Sequence, residues 1–191
     1  GVGGAPLSLL YLVKNLDKSK YSTTVLFLQD SPAVNLFKKN NVEVVGPIGV
    51  CDFPHTKIWW FRWYHVHHIL RSTYDQLKTW LFVADYWLNK INPDIIHLNT
   101  SSLLAWGIVA RKKNIPVVWH IREPLAGGYF GIRKKLIKFC VKKYASFILP
   151  ICSNDAKPWA NNKKTEIVYN AVDSKKFYPE ISCQKFLKEN S

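Results

Sequence analysis

Short runs of consecutive apolar residues alternate with amphipathic stretches along most of this 191-residue sequence. In the second half, mainly apolar runs that predict strands cover residues 94–98, 116–121 and 147–151, and helical spacing covers residues 102–113 and 132–144. Strands that are apolar at successive positions are typical of a sheet buried on both faces. Parallel neighbours need crossover connections, which the intervening helices supply. The alternation therefore predicts an α/β fold built on a doubly wound parallel sheet.

The first half and the end of the chain follow the same pattern. The further predicted elements are helix 6–16, strand 25–28, helix 33–39, strand 42–45, helix 155–161 and strand 166–169. Apolar residues also keep helical spacing from Trp63 to Ile91, which predicts one long helix. Asn92-Pro93 is expected to end it, because the residue before a proline disfavours helical geometry. We expect a single domain over residues 1–178, with residues 179–191 as the start of a linker.

The chain has a large excess of positive charge. It carries 27 Lys and Arg against 13 Asp and Glu, a net charge of +14. This predicts an acidic partner: nucleic acid, an anionic membrane surface or a phosphorylated small molecule. The 4 cysteines contain no C-x-x-C pair, which favours neither a zinc site nor a disulfide framework and suits a reducing cytoplasm. No apolar run approaches the roughly 20 residues that span a bilayer.

Polar residues directly follow several of the predicted strands. In a doubly wound sheet, ligands bind at the carboxyl ends of the strands. The candidate residues at those ends are His120 and Glu123 for catalysis, and Asn99, Arg122, Ser153 and Asn170 for ligand binding. Gly3 and Gly4 lead into the first helix, where free backbone N–H groups and the helix dipole favour a phosphate. We predict that Gly3, Asn99, His120, Ser153 and Asn170 lie near one edge of the sheet.

Four short segments of the sequence contain most of these candidate residues. They are GGAPLSLL at residues 3–10, PDIIHLN at 93–99, VVWHIRE at 117–123 and IVYNAVD at 167–173. Together they resemble the N-terminal domain of the retaining glycosyltransferases of family four. The likeness covers nearly the whole chain. It implies a Rossmann-like domain that forms one half of a two-domain GT-B enzyme and takes part in sugar transfer with retention of configuration.

The resemblance also implies roles for individual residues and for missing parts. The glycine turn at Gly3 and Gly4 would approach the donor diphosphate, and His120 would contact the transferred sugar. Asn170 would lie where the chain leaves for the second domain. With the glycosyltransferase resemblance, the ligand expected at Asn99, Arg122, Ser153 and Asn170 is the acceptor or the sugar. The family's central first strand, which would precede Gly1, and its donor domain, with two glutamates eight positions apart, are absent from the sequence. We therefore expect the donor domain to be a missing partner, and the chain alone to bind nucleotide sugar weakly and to be inactive.

His120 and Glu123 each allow a functional and a purely structural interpretation. His120 carries a ring that can hold or transfer a proton, or it is simply packed between strand and helix. Glu123 either receives a proton from the acceptor hydroxyl or pairs with Arg122 in a loop. The histidines within residues 65–68 do not predict a metal site, because adjacent histidines on a helix point to different sides. We expect no metal and no cofactor.

Aromatic rings stand beside basic residues at Trp59, Trp60 and Trp63, a pattern that favours a membrane interface. Residues 132–144 add a helix with two predicted faces. The basic face consists of Arg133, Lys134, Lys135, Lys138, Lys142 and Lys143, and the apolar face of Ile132, Leu136, Cys140 and Tyr144. Lipid contact and an ordinary core with a solvated face both fit this pattern. Nucleic-acid binding is not expected, since no RNA- or DNA-binding motif is legible.

These features together predict half of a cytoplasmic glycosyltransferase that is peripheral at the inner face of the plasma membrane. Its donor would be a nucleotide sugar, used as a substrate. Its acceptor would be a saccharide or a lipid-linked saccharide of cell-envelope polysaccharide or glycolipid synthesis. The alternatives are a non-catalytic Rossmann-like binding module and a nucleic-acid-binding domain.

Overall fold

The computed structural model describes residues 2–53, 66–125, 127, 131–171 and 173. The strands are β1 (Thr24–Leu26), β2 (Glu43–Val45), β3 (Ile96–Leu98), β4 (Val117–Ile121) and β5 (Phe147–Pro150). The helices are α1 (Gly4–Asn15), α2 (Pro32–Lys39), α3 (Val66–Lys78), a π-helical turn (Thr79–Val83), α4 (Ala84–Ile91), α5 (Leu104–Lys112), α6 (Ile132–Tyr144), α7 (Ser153–Ala156) and a 3₁₀ turn (Lys157–Trp159). Every strand pair is parallel. The predicted α/β class with parallel strands is confirmed.

The strands form two hydrogen-bonded sheets. β1 pairs with β2, and β3, β4 and β5 follow one another in that order. No strand pairing joins the two sheets within the residues that the structure describes. The single predicted parallel sheet is therefore divided into two in the part of the chain that the structure describes.

β1 shows how side chains are buried on both faces of a sheet. Val25 and Phe27 pack in one apolar cluster with α1 and α2, where the ring of Phe27 meets that of Phe37 edge to face with centroids 5.3 Å apart. Leu26 and Leu28 pack against the main core instead. Successive side chains of an extended chain point to opposite sides, so a continuous apolar run is buried on both.

The main core lies on one face of β4. Val117, Trp119 and Ile121 project into it and are fully buried, and apolar side chains of α5 and α6 cover them. The indole of Trp119 packs so close to Gly107 of α5 that an added Cβ would overlap the ring. Its Nε1 donates a hydrogen bond of 2.9 Å to the carbonyl of Thr100. This core therefore also holds the start of the loop that follows β3.

The long predicted helix forms as two α-helices, α3 and α4, joined without a break by the π-helical turn Thr79–Val83. Asn92 ends it in the left-handed conformation, with φ 48°, and its N–H donates to the carbonyl of Leu88 at 2.9 Å. Asparagine tolerates this conformation at a helix end. The predicted end is thus confirmed, whereas the predicted start at Trp63 lies outside the described residues.

The prediction of a regular last strand at 166–169 is wrong. Thr165 makes one isolated parallel bridge to Ile148 of β5, and the N–H of Val168 donates to the carbonyl of Pro150 at 2.9 Å. Residues 166–171 are exposed, so a longer ladder would bury little additional surface. The segment runs beside β5 as an irregular edge and carries Asn170 to the carboxyl ends of the strands.

α6 spans the predicted residues, but its faces differ from the predicted ones. The buried side consists of Arg133, Ile137, Cys140 and Val141. Ile132 and Leu136 of the predicted apolar face are 65% and 42% exposed, so they do not form the core that was one of the two interpretations of this face. Arg133, predicted on the basic face, is 3% exposed, and that assignment is wrong. A turn of 3.6 residues presents positions three or four apart to the core, and packing rather than polarity selected the set that begins at Arg133.

Candidate functional site

Arg122 directly follows β4 and joins three separate parts of the chain. Its Nε donates to Oδ1 of Asn99, after β3, at 2.6 Å. Its Nη1 donates to Oγ of Ser8 in α1 at 2.8 Å and to Oδ1 of Asn170 at 2.6 Å. Parallel strands end at the same edge of a sheet, so residues that are far apart in sequence meet there. We call Ser8, Asn99, Arg122 and Asn170 the Arg122 cluster.

The first turn of α1 is tied to the same edge. Nδ2 of Asn99 donates to the carbonyl of Ala5 at 3.2 Å. Gly3 precedes the helix in an extended conformation, with φ −68°, and Gly4 is its first residue. An added Cβ would find no atom within 4 Å at Gly4, and its nearest neighbour at Gly3 would be 3.8 Å away. The chain's own packing therefore does not require these glycines, and the space before the helix N-terminus is open.

Two histidines lie side by side next to Arg122. His97 lies in β3 and His120 in β4, on the face of the sheet opposite Trp119. Their rings are nearly parallel, at 11°, with centroids 5.2 Å apart. Nε2 of His97 lies 3.1 Å from Nδ1 of His120, and Nη2 of Arg122 lies 3.3 Å from the same Nδ1. This nitrogen of His120 therefore has two hydrogen-bonding neighbours.

The other ring nitrogen of His120 has none in the part of the chain that the structure describes. Nε2 is buried and lacks a hydrogen-bond partner, and His120 as a whole is 5% exposed. A buried N–H without a partner costs about 1–3 kcal/mol.

Burial keeps both histidines uncharged. It is the main cause that lowers the pKa of His97 to about 4, and the charge of Arg122 lowers it further. Burial also lowers the pKa of His120 to about 3, with smaller contributions from Arg122 and His97. Both rings are therefore neutral at neutral pH. Arg122, whose pKa burial also lowers from a very high value, stays charged and makes this edge positive.

Glu123 anchors the loop after β3. Its Oε1 accepts three hydrogen bonds: from Oγ1 of Thr100 at 2.7 Å, from the N–H of Ser101 at 2.7 Å and from Oγ of Ser101 at 2.6 Å. The sequence suggested two interpretations of Glu123, as a proton acceptor or as the partner of Arg122. These hydrogen bonds to the loop after β3 are a third arrangement. A role as general base remains a prediction.

Asp52 holds the same loop through a different residue. Its Oδ2 accepts from Oγ of Ser102 at 2.7 Å, and Ser102 is fully buried. Sequence reasoning missed Asp52, Ser8 and His97. Of these three, His97 could have been found from the sequence, because it is a titratable residue inside a mainly apolar predicted strand.

The structure brings four predicted site residues together: Asn99, His120, Arg122 and Asn170. Ser153 begins α7, two residues before the predicted helix at 155–161, is exposed, and has no hydrogen bond to this group. Trp59, Trp60 and Trp63 lie outside the described residues. Among the residues described, no group of three or more His, Cys, Asp and Glu side chains is placed to hold a metal ion.

The sequence and the fold were compared with those of known proteins. The sequence model of Glycosyltransferase Family 4 matches residues 2–176. The structure of Anabaena HepE in complex with UDP-glucose is similar, with a TM-score of 0.64, 17% identity, and coverage of 100% of this chain and 46% of that one. Acinetobacter baumannii MurG gives a TM-score of 0.54 and 16% identity over 91% of this chain and 43% of that one.

The chain thus spans about half the length of the solved structures that it matches. At such low identity the likeness shows the fold, and the predicted Rossmann-like class is confirmed. A comparison with curated proteins finds no match. In the described part of the chain, no helix has both the length and the apolar character needed to cross a bilayer.

Proposed function

Since this chain belongs to glycosyltransferase family 4 and has the Rossmann-like fold of one GT-B half, we propose that it is the N-terminal, acceptor-side half of a glycosyltransferase. The enzyme transfers a hexosyl group from a nucleotide-sugar donor to a saccharide or lipid-linked acceptor, with retention of configuration. The observation that carries this proposal is the Arg122 cluster, which lies beside the open first turn of α1. We place the reaction in cell-envelope polysaccharide or glycolipid synthesis.

The chemistry of the edge suits a diphosphate leaving group. The positive charge of Arg122 and the N-terminus of α1 beyond Gly3 and Gly4 both favour a negative charge. Three hydrogen bonds hold the guanidinium in place before any ligand binds, so its stabilisation of developing charge needs little reorganisation. No protein nucleophile is required, because the donor diphosphate itself can guide the incoming hydroxyl on the same face of the sugar.

His120 fits the sugar rather than the phosphate. Its neutral ring has a buried nitrogen without a partner, and a neutral donor suits a hydroxyl or ring oxygen. Asn99 and Asn170, which accept hydrogen bonds from Arg122, carry the amide groups that we assign to a sugar or an acceptor. Glu123, with Oε1 engaged in the loop, keeps its second oxygen as the candidate proton acceptor.

A second domain completes the active site in this proposal. Residues 1–178 form the acceptor-side domain, and residues 179–191 begin the linker to a donor domain. That domain supplies most contacts to the nucleotide sugar, so the 191-residue chain alone binds donor weakly and is inactive. HepE was solved with UDP-glucose, and a UDP-sugar is therefore the first donor to test.

We also propose that the enzyme contacts an anionic membrane from the cytoplasmic side. α6 presents Ile132 and Phe139, 65% and 58% exposed, and the exposed lysines Lys135, Lys142 and Lys143. Apolar side chains enter the interface, and each basic residue near anionic lipid contributes about 1 kcal/mol. The tryptophans at 59, 60 and 63 extend this proposal to residues outside those described. A membrane-bound enzyme would meet a lipid-linked acceptor directly.

The decisive experiment compares the full-length protein with its His120→Ala variant. UDP release from UDP-sugars, in the presence of saccharide or lipid-linked acceptors, measures transfer. We expect kcat/KM to fall about 100-fold in the variant, the effect of losing one positioned polar group at the reacting centre. His67→Ala, at an exposed histidine of α3, is the matched control and should retain activity.

Thermal melting of each variant must accompany the kinetics. Activity within a few-fold of wild type in His120→Ala would remove His120 from the reacting centre. Unfolding of the variant would support a packed histidine instead. A full-length protein that binds nucleotide sugar but transfers nothing to any acceptor would support the non-catalytic binding module.

A further inference from the structure

His97 and His120 are neighbours because of strand register. β3 and β4 are parallel, and His97 is the register partner of Val118. His120 stands two residues further along β4, on the same face, since side chains alternate. The nearly parallel rings and the 3.1 Å contact between Nε2 of His97 and Nδ1 of His120 follow from this placement.

The positions of the protons can be derived from the partners. Nη2 of Arg122 faces Nδ1 of His120, and a guanidinium nitrogen can only donate a hydrogen bond. Nδ1 of His120 is therefore an acceptor without a proton. Nε2 of His97 faces the same atom, so it must be the donor of that contact. A neutral His120 then carries its proton on Nε2, the buried atom that lacks a partner.

We propose that His97 is a positioning residue of the transferase: it donates to Nδ1 of His120 and thereby keeps the Nε2–H of His120 directed to an oxygen of the bound sugar. This inference rests on the proposed glycosyl transfer. His97 itself does not touch the substrate. It fixes both the rotation of the His120 ring and the position of its proton through this in-plane hydrogen bond. Neither Asp nor Glu is seen in hydrogen bonds to these rings among the described residues, so a second histidine takes the orienting role.

The test uses two substitutions of His97 in the full-length protein. His97→Phe keeps a flat ring but cannot donate, and His97→Gln keeps an N–H donor on a flexible side chain. Nitrogen-15 NMR of the imidazoles reports which nitrogen of His120 carries the proton, with His120→Ala used to assign the signals. Steady-state kinetics with a UDP-sugar give kcat and KM separately.

We expect wild-type His120 to show a protonated Nε2 and an unprotonated Nδ1. In His97→Phe the signals of the two nitrogens should move toward each other, as both proton positions become populated. kcat should fall about ten-fold with KM nearly unchanged, the effect of losing one neutral hydrogen bond. His97→Gln should restore both the NMR pattern and most of kcat.

Several results would overturn the inference. One is a proton on Nδ1 of His120 in the wild type. Another is an unchanged NMR pattern in a folded His97→Phe variant, whatever its activity, because His97 would then act through packing only. If wild type transfers no sugar from any donor while the NMR pattern is as expected, the proposed function fails and the proton assignment stands, so the two failures are distinguishable.

Discussion

Replacing Arg122 with alanine should destabilise the chain and change the acid–base behaviour of its neighbours. The substitution removes three hydrogen bonds of a charged donor, to Asn99, Ser8 and Asn170. Each such bond contributes about 1.5–3 kcal/mol before other effects. Two effects offset part of this contribution. The half-buried guanidinium is less hydrated in the folded than in the unfolded chain, and water can take the place of some of the lost hydrogen bonds after the substitution. We therefore expect a net loss of about 2–3 kcal/mol in the free energy of unfolding.

Urea unfolding followed by tryptophan fluorescence measures this loss, because Trp119 is fully buried in the core. With an m-value of about 2 kcal/mol/M, the midpoint should shift by about 1 M urea. Arg111→Ala, at an exposed arginine in the last turn of α5, is the matched control and should cost about 0.5 kcal/mol or less. A shift in Arg122→Ala no larger than in the control would refute the network.

The same variant has a second readout in the pKa values of the histidines. The charge of Arg122 is the second cause, after burial, that lowers the pKa of His120 to about 3 and of His97 to about 4. Both values should rise in Arg122→Ala but remain below the ordinary histidine value of about 6.5, because burial persists. NMR titration checks this. Unchanged pKa values would show that the guanidinium does not lie beside the rings.

Two further predictions concern acid stability and the membrane. The pKa values of His97 and His120 are lower in the folded than in the unfolded chain, so their full stabilisation is present above about pH 6.5 and is lost as the pH falls toward 4. At about pH 5 the loss should be about 1–2 kcal/mol for each histidine, and replacing both with glutamine should remove this part of the pH dependence in urea unfolding. Ile132→Ser combined with Phe139→Ser should weaken cosedimentation of the full-length protein with anionic vesicles, and Lys135→Glu should weaken it in a salt-dependent manner. Unchanged binding in both variants would exclude α6 from the membrane contact.

Sequence reasoning predicted the strand and helix order well where periodicity is strong. The short, mainly apolar runs at 94–98, 116–121 and 147–151 became β3, β4 and β5, because a strand covered on both faces carries apolar residues at successive positions. The parallel direction followed from the intervening helices. The edge that holds Asn99 and Arg122 followed in turn, since the carboxyl ends of parallel strands coincide.

Predictions failed where tertiary contacts compete with local polarity. Arg133 is buried, although it was predicted on the basic face, because contact with the core selects one set of positions on α6. Residues 166–169 are apolar enough for a strand, yet they lie on an exposed edge where a longer ladder gains little. Intrinsic preference is a weak prior in both cases, and packing overrides it.

The sequence by itself determined the α/β class, the parallel strands, the family resemblance and most residues of the candidate site, because each of these depends on local periodicity or on a short motif. Only the tertiary structure decided which side chains meet. Ser8 and Arg122 are 114 positions apart, and His97 and His120 are 23 apart. Contacts at such separations depend on strand register and on how α1 packs, and hydrogen-bond partners and burial follow from that geometry. The proton on Nε2 of His120 is a property of this arrangement and of no single segment.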